Sequence, residues 1–465
     1  FPFRILGSFC VRSILPGACG RLFYFSGKVN EKMSPVIVGI IGIGLLFILM
    51  ALRINVGLGM ALSGFLGIAY LIGFDQALNV LSTTPYRTAA AYTMSVIPLF
   101  ILMGNLSFYA GVSRDLYATA HKLLGSLPGG LAIATTLGCA GFAATCGSSV
   151  ATAVTMGSIA IPEMKHYKYD PALAAGSVAA GGTLAELIPP SIGFVLYAML
   201  TNESVGKLFI AGILPGILLT SLFMLAIHII TRRNPNLGPP GASTSSKEKL
   251  ASLKNVWAML ALFIVVIGGL YLGLFTPTEA GGIGAFGAFV LMTARGKLTR
   301  ENLVGALMDT GKITAMCYII LLGANLFGYF MAVTRIPYEL AGFAAGLPLH
   351  PLLIVGFILI VYLVLGCVMD AIAMIVLTVP IFYPVILELG FDPIWFGVIM
   401  VLVMEMGLIT PPVGVNVFAI AGVAKDVPLY TIFRGIIPFL LAMIVCIIVL
   451  LFVPQIATFL PSTMT

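Results

Sequence analysis

The chain has 465 residues, 60% of them hydrophobic and only 9% charged, with a mean hydropathy of +1.11 and a formal net charge of +7. Soluble domains carry roughly a quarter charged residues, so this composition excludes a set of soluble domains and points to a chain immersed in lipid. Long unbroken apolar runs, in place of the alternation of barrel strands, exclude a membrane β-barrel.

Residues 1–32 differ from the rest of the chain: Arg4, Arg12, Arg21, Lys28 and Lys32 run through them and no span-length apolar run occurs. Met33 is therefore expected to be the true start, with 1–32 a non-native extension. Apolar segments of the length needed to cross ~30 Å of hydrocarbon then recur. They are expected near 34–52, 54–74, 95–112, 172–200, 205–231, 256–274, 278–294, 313–333, 393–424 and 430–454. Shorter apolar pairs at 131–161 and 350–388, interrupted by Gly, Cys and polar residues, read as re-entrant hairpins.

The hydrophilic segment 232–255 divides the chain into a first half, 33–231, and a second half, 256–465. It holds Arg232, Arg233, Lys247, Lys249 and Lys254 among Gly, Pro and Ser, with no interleaved aromatics, so its charge sets topology and nucleic acid is not an expected partner. Placed in the cytoplasm, it puts Arg114, Lys122, the Lys165–Lys168 cluster, Arg295, Lys297 and Arg300 on the same side. The cysteines form no CxxC pair and the histidines no ligand spacing, so no transition-metal site or cofactor is expected. GxxxxGK[ST] is absent, so the chain does not itself hydrolyse ATP. Neither HExxH nor a Ser/Lys or Asp/Asp pair lies within the spans, which argues against an intramembrane enzyme.

The two halves resemble each other. Asp170-Pro171 precedes Pro189-Pro190 as Asp392-Pro393 precedes Pro411-Pro412, a spacing of 19 residues in both cases. "LFIAGILPG" (208–216) corresponds to "TIFRGIIPF" (431–439), Asn105-Leu106 to Asn325-Leu326 and Pro128 to Pro348, all displaced by 220 to 223 residues. Five spans separate equivalent points, an odd number that makes the repeats antiparallel in the membrane. Inverted repeats with helices broken at matching positions are the signature of secondary transporters and place the binding site near the midplane.

Four short stretches put Pro, Gly and hydroxyls inside apolar surroundings: "CGSSVATAVTMGS" (146–158), "TLAELIPPSIG" (183–193), "LGCVMDAIA" (365–373) and "LITPPVGVN" (408–416). A proline removes a backbone donor and frees the carbonyl one turn earlier, which is tolerated at membrane depth only where the backbone is buried or lines a cavity. Freed carbonyls with Ser and Thr hydroxyls suit Na⁺; N–H groups at the restarted helices suit a substrate carboxylate. Small residues also mediate plain helix packing, and that reading stands beside the functional one. Asp370, at the second hairpin turn, reads as a cation ligand or as a helix N-cap. Glu186 faces the cavity, carries a coupling proton or pairs with a basic group. Glu405 precedes the second break. Asp170 and Asp392 read as helix caps.

The runs "GSSVATAVTMGSIAIPEMKHYKYDPALAAGSVAAGGTLAELIPPSIG" and "FGVIMVLVMEMGLITPPVGVNVFAIAG" resemble the large membrane (permease) subunit of tripartite ATP-independent periplasmic (TRAP) transporters, and the resemblance extends from Met33 to Pro461. It implies an all-α polytopic inner-membrane protein of the elevator type, with scaffold and transport domains. It also implies a small four-helix membrane subunit, a periplasmic substrate-binding protein and symport of C4-dicarboxylates, sialic acid or related carboxylates on a sodium gradient. Carried over, it places one Na⁺ at Ser148, Ser149 and Thr152 with Ile188, Pro189 and Ser191. It places a second at Gly366, Met369 and Asp370 with Thr410, Pro411 and Gly414. Substrate contacts would come from Ser149, Thr183, Ser191, Thr410 and Asn416, and Glu186 is a candidate for coupling. Two departures stand out: Glu186 replaces a residue that is commonly small, and "VLVM" precedes Glu405 where an Asn is common. The alternative is a standalone ion-coupled anion symporter of the wider ion-transporter superfamily.

Overall fold

The computed structural model describes residues 33–241 and 244–464, and these are all-α, with no strand among them. The expectation for residues 1–32 lies outside the described residues. The helices belong to one unit, Pro35–Thr465.

The first half comprises α1 (Pro35–Ala51), α2 (Val56–Leu71), α3 (Phe74–Ala89), α4 (Val96–Tyr109), α5 (Val112–Leu124), α6 (Gly130–Cys146), α7 (Ser149–His166), α8 (Pro171–Leu187), α9 (Ile192–Thr201) and α10 (Val205–Arg233). The second comprises α11 (Ser246–Tyr271), α12 (Pro277–Ala294), α13 (Arg300–Thr334), α14 (Ile336–Ala345), α15 (Pro351–Gly366), α16 (Ala371–Glu388), α17 (Pro393–Ile409), α18 (Val415–Val423) and α19 (Leu429–Phe452), followed by α20 (Gln455–Ser462). Seven helical segments among the described residues are long and apolar enough to span a bilayer.

Caps set the boundaries. Asp170 accepts from Ala172 N and Leu173 N with Pro171 behind it, and Asp392 accepts from Trp395 N with Pro393 behind it, so both aspartates start the broken helices as read from the sequence. α11 begins ten residues before the expected 256, because Ser245 and Glu248 close a capping box inside the hydrophilic segment. α13 begins at Arg300, not near 313, capped by Thr299. α3 and α5 were not expected: each carries too many polar residues to read as a span, and their apolar stripes are narrow.

The sequence repeat is a repeat of packing. α2 packs on α13 as α12 packs on α4, and α7 meets α18 as α16 meets α9. The relation reaches single side chains. Asn105 Nδ2 donates to Thr310 Oγ1 at 2.9 Å, and Asn325 Nδ2 donates to Thr88 Oγ1 at 2.8 Å. Each bond ties one half to the other. On α2 and α12 the small residues serve close packing: a Cβ on Gly57 would meet the carbonyl of Ile319, and one on Gly281 would meet Leu99. One asymmetry stands out: α3, a 3₁₀ turn at Tyr92–Ser95 and α4 correspond to the single uninterrupted α13.

The segment after α10 bonds to the α5–α6 turn through Gly129 N to Gly238 O and Gly241 N to Gly125 O, and to the start of α8 through Asp170 N to Leu237 O. Lys165, beside Asp426, pairs the α7 end with the α18–α19 loop and holds that exposed carboxyl below the usual carboxylate range.

Candidate functional site

Each hairpin delivers its tip to a proline break. Hairpin 1 (α6–α7) turns at Gly147, in the left-handed region at φ 62°. A Cβ there would lie 2.6 Å from the carbonyl oxygen of Pro190, so only glycine lets the tip seat on the break between α8 and α9. Hairpin 2 (α15–α16) meets the end of α17 backbone to backbone: a Cβ on Gly407 would lie 2.7 Å from Gly366 Cα. The tips thus end at helix interruptions, as re-entrant hairpins do. Both Pro-Pro bonds are cis.

At the first junction Ser148 caps α7, its Oγ accepting from Ala151 N, and Ser191 caps α9, accepting from Phe194 N at 3.2 Å. Ser149 is buried and accepts a 2.6 Å bond from Asn416 Nδ2, which brings α18 of the second half to hairpin 1 of the first. Thr152, one turn further along α7, is buried with an unpartnered hydroxyl. Pro189 is buried and Ile188 half-buried. Glu186 does not pair with a base. Its Oε2 accepts from Gly193 N at 2.9 Å and from Ser191 Oγ at 3.2 Å, so a carboxylate of the chain itself occupies the start of α9. Thr183 donates back to Ala180 O and is committed to its own helix.

The second junction is more open. Pro411, Pro412 and Val413 are exposed, as is Asp370, which holds the position before α16 in extended backbone (φ −75°, ψ 161°). Met369 and Gly366 are buried, and Gly414 adopts φ 62° at the position before α18. Thr410 donates to Met406 O within its own helix. The break spans five residues, 410–414, against four in the first half, 188–191, so Gly414 stands where Ser191 does and offers no side-chain cap. Four helix N-termini, those of α7, α9, α16 and α18, start at these junctions. Their partial positive charge favours an anion, while the freed carbonyls and hydroxyls favour a hard cation.

Residues 43–456 match the family described as "Tripartite ATP-independent periplasmic transporter, DctM component". The chain belongs to this family. It is 40% identical over 403 residues to the C4-dicarboxylate TRAP transporter large permease protein of Pseudomonas aeruginosa, covering 84% of this chain and 93% of that one. It is 30% identical to the sialic acid TRAP transporter large permease protein of Vibrio cholerae (86% and 93% covered), and 32% identical to the isethionate TRAP transporter permease protein of Oleidesulfovibrio alaskensis (89% and 64% covered). The crystal structure of the Alcanivorax borkumensis YdaH transporter shares the fold, with a TM-score of 0.59 at 18% identity over 81% of this chain and 88% of that one. The TRAP permease is a multi-pass protein of the bacterial inner membrane.

Two cavities open onto the permease's packed helices. One, of about 1000 Å³, gathers Arg114, Lys254, Arg295 and Lys297 with Asp115 and Ser158, bringing to one wall basic residues that the sequence placed on one side. The other, of about 610 Å³, lies at the α3–α4 interruption and holds Arg87, Asn202, Glu203 and Asn325. One residue of the site was named in the sequence but assigned to neither cation set. Glu405 is fully buried, in the position of α17 that corresponds to Thr183 of α8. It lies beside the Ser149 hydroxyl, and neither of its carboxylate oxygens closes a well-formed hydrogen bond. An acid inside a span was the available signal.

Proposed function

We propose that this TRAP permease is a sodium-coupled symporter of small organic acids, C4-dicarboxylates, sialic acid or related carboxylates. A periplasmic binding protein delivers the substrate, and a small four-helix membrane subunit assists. The observation that carries the reading is the seating of each hairpin tip on a proline break, with oxygen atoms and helix N-termini as the polar groups at the junctions. Na⁺ draws hydroxyls and freed carbonyls of hairpin and broken helix together. That organises the N–H groups at the helix starts around a carboxylate, and the two hairpins with α8–α9 and α17–α18 then slide as one body past the scaffold of α2, α4, α12 and α13. The names of the relatives support an organic anion as substrate.

The test is uptake into proteoliposomes holding the permease and its small subunit. Uptake that requires both an inward Na⁺ gradient and added binding protein is the expected result. Uptake without the binding protein identifies a standalone anion symporter instead, and gradient-independent conductance identifies a channel.

A further inference from the structure

Two carboxylates, those of Glu186 and Glu405, are the charged side chains buried in the described part of the protein, and no Lys, Arg or His is buried with them. An unpaired buried charge is strongly unfavourable and persists only with a compensating partner. Glu186 has such partners in Gly193 N and Ser191 Oγ. Glu405 has less: it is 0% exposed, neither Oε1 nor Oε2 closes a well-formed hydrogen bond, and the Ser149 hydroxyl is the donor that lies beside it. The N–H groups that open α7 and α18 do not reach it either.

The same deficit recurs around it. Asn416 Oδ1 and Thr152 Oγ1 are also buried without a partner. Ser149 links the group: its Oγ receives Asn416 Nδ2 at 2.6 Å, lies beside Glu405 and precedes Thr152 by one turn of α7. The unpartnered atoms are all oxygens. A proton on Glu405 would give that residue one donor, enough for one of these oxygens only. A small hard cation takes several oxygen ligands at once.

We propose that the cation held by hairpin 1 is held across the two halves, with Glu405 of α17 as its anionic ligand and the Asn416 carbonyl completing the Ser149–Thr152 set. This rests on the sodium reading above and deepens it. The first cation site then belongs to neither repeat alone. Binding there also fastens α18 to hairpin 1, because Asn416 touches the ion with one end of its amide and Ser149 with the other.

The experiment is a Na⁺ titration of the permease with its small subunit in nanodiscs, read by thermal denaturation against choline at constant ionic strength. A Na⁺-to-substrate stoichiometry from reversal potentials in proteoliposomes accompanies it. Glu405→Gln is expected to raise the Na⁺ midpoint by about tenfold or more, equivalent to about 1.4 kcal/mol, and to remove one Na⁺ from the stoichiometry. In sodium-free choline the same variant is expected to melt no lower than the native protein, because the uncompensated charge is gone. Thr152→Val, which keeps the side-chain shape, is expected to raise the midpoint less. A native protein that ignores Na⁺ overturns the sodium reading itself. A native protein that responds to Na⁺ while Glu405→Gln keeps its midpoint and stoichiometry overturns only the Glu405 assignment. So does a Glu405→Gln protein that keeps its Na⁺ count but loses pH dependence of transport, since the charge is then met by a proton. Should Glu405→Gln fail to fold, an unshifted midpoint in Asn416→Ser overturns the assignment alone.

Discussion

The amide of Asn416 donates to the hydroxyl of Ser149 across 2.6 Å, and through this one bond the helix after the second break is joined to the tip of the first hairpin. The two residues are 267 positions apart in the chain, and both ends of the bond are buried. Asn416→Leu removes the donor and leaves the buried Ser149 oxygen without one. A buried polar group left unsatisfied costs about 1–3 kcal/mol. The expected outcome is a lower melting temperature together with loss of uptake, whereas an exposed control such as Tyr430→Ala changes neither. Thermal denaturation and proteoliposome uptake, measured on the same preparation, check it.

Gly407 faces Gly366 with no room for a methyl group, and the atoms a Cβ would strike belong to the backbone. Gly407→Ala therefore forces hairpin 2 away from α17. Overpacking of this kind costs about 1–3 kcal/mol. The Na⁺ midpoint should rise along with the loss of stability, because Met369 and Asp370 are carried on the displaced tip. A variant with native stability and a native midpoint would show that the tip does not need this seat.

The Asn105–Thr310 and Asn325–Thr88 bonds occupy equivalent places in the two halves. Asn105→Leu and Asn325→Leu should therefore lower stability by similar amounts, about 0.5–1.5 kcal/mol for each lost bond. Neither bond touches the hairpin tips, so the Na⁺ midpoint is expected to stay native in both. A shift in either variant would mean that these bonds report on the site as well as on the scaffold.

Asp370 stands exposed at the start of α16, where a carboxylate is favoured by the helix dipole whether or not a cation is bound. Asp370→Ala is expected to weaken the dependence of uptake on Na⁺. Asp370→Asn, which still suits an N-cap, is expected to weaken it as well. An Asn variant that titrates like the native protein would remove Asp370 from the cation site.

Much of this protein could be read from residue order. The apolar runs, the Asp-Pro starts, the two Pro-Pro pairs and the register of the repeat are local patterns, and local backbone chemistry decides them: a proline cannot donate, and an aspartate before it caps a helix. α3 and α5 escaped that reading because amphipathic helices against a scaffold lack the unbroken apolar stretch of a span. α11 and α13 began earlier than expected because caps, not hydropathy, set helix starts.

What residue order could not supply was which polar atoms meet. Nothing near position 149 announces a partner at 416, and nothing near 405 says that its carboxylate is sealed from water without a well-formed hydrogen bond while Glu186 has two. Residue order determined the parts of the site, because breaks and caps arise within a few residues of chain. The tertiary structure alone decided the pairings, because a hydrogen bond or a buried charge depends on groups brought together across the two halves, and burial turns a missing partner from a trivial matter into one of several kcal/mol.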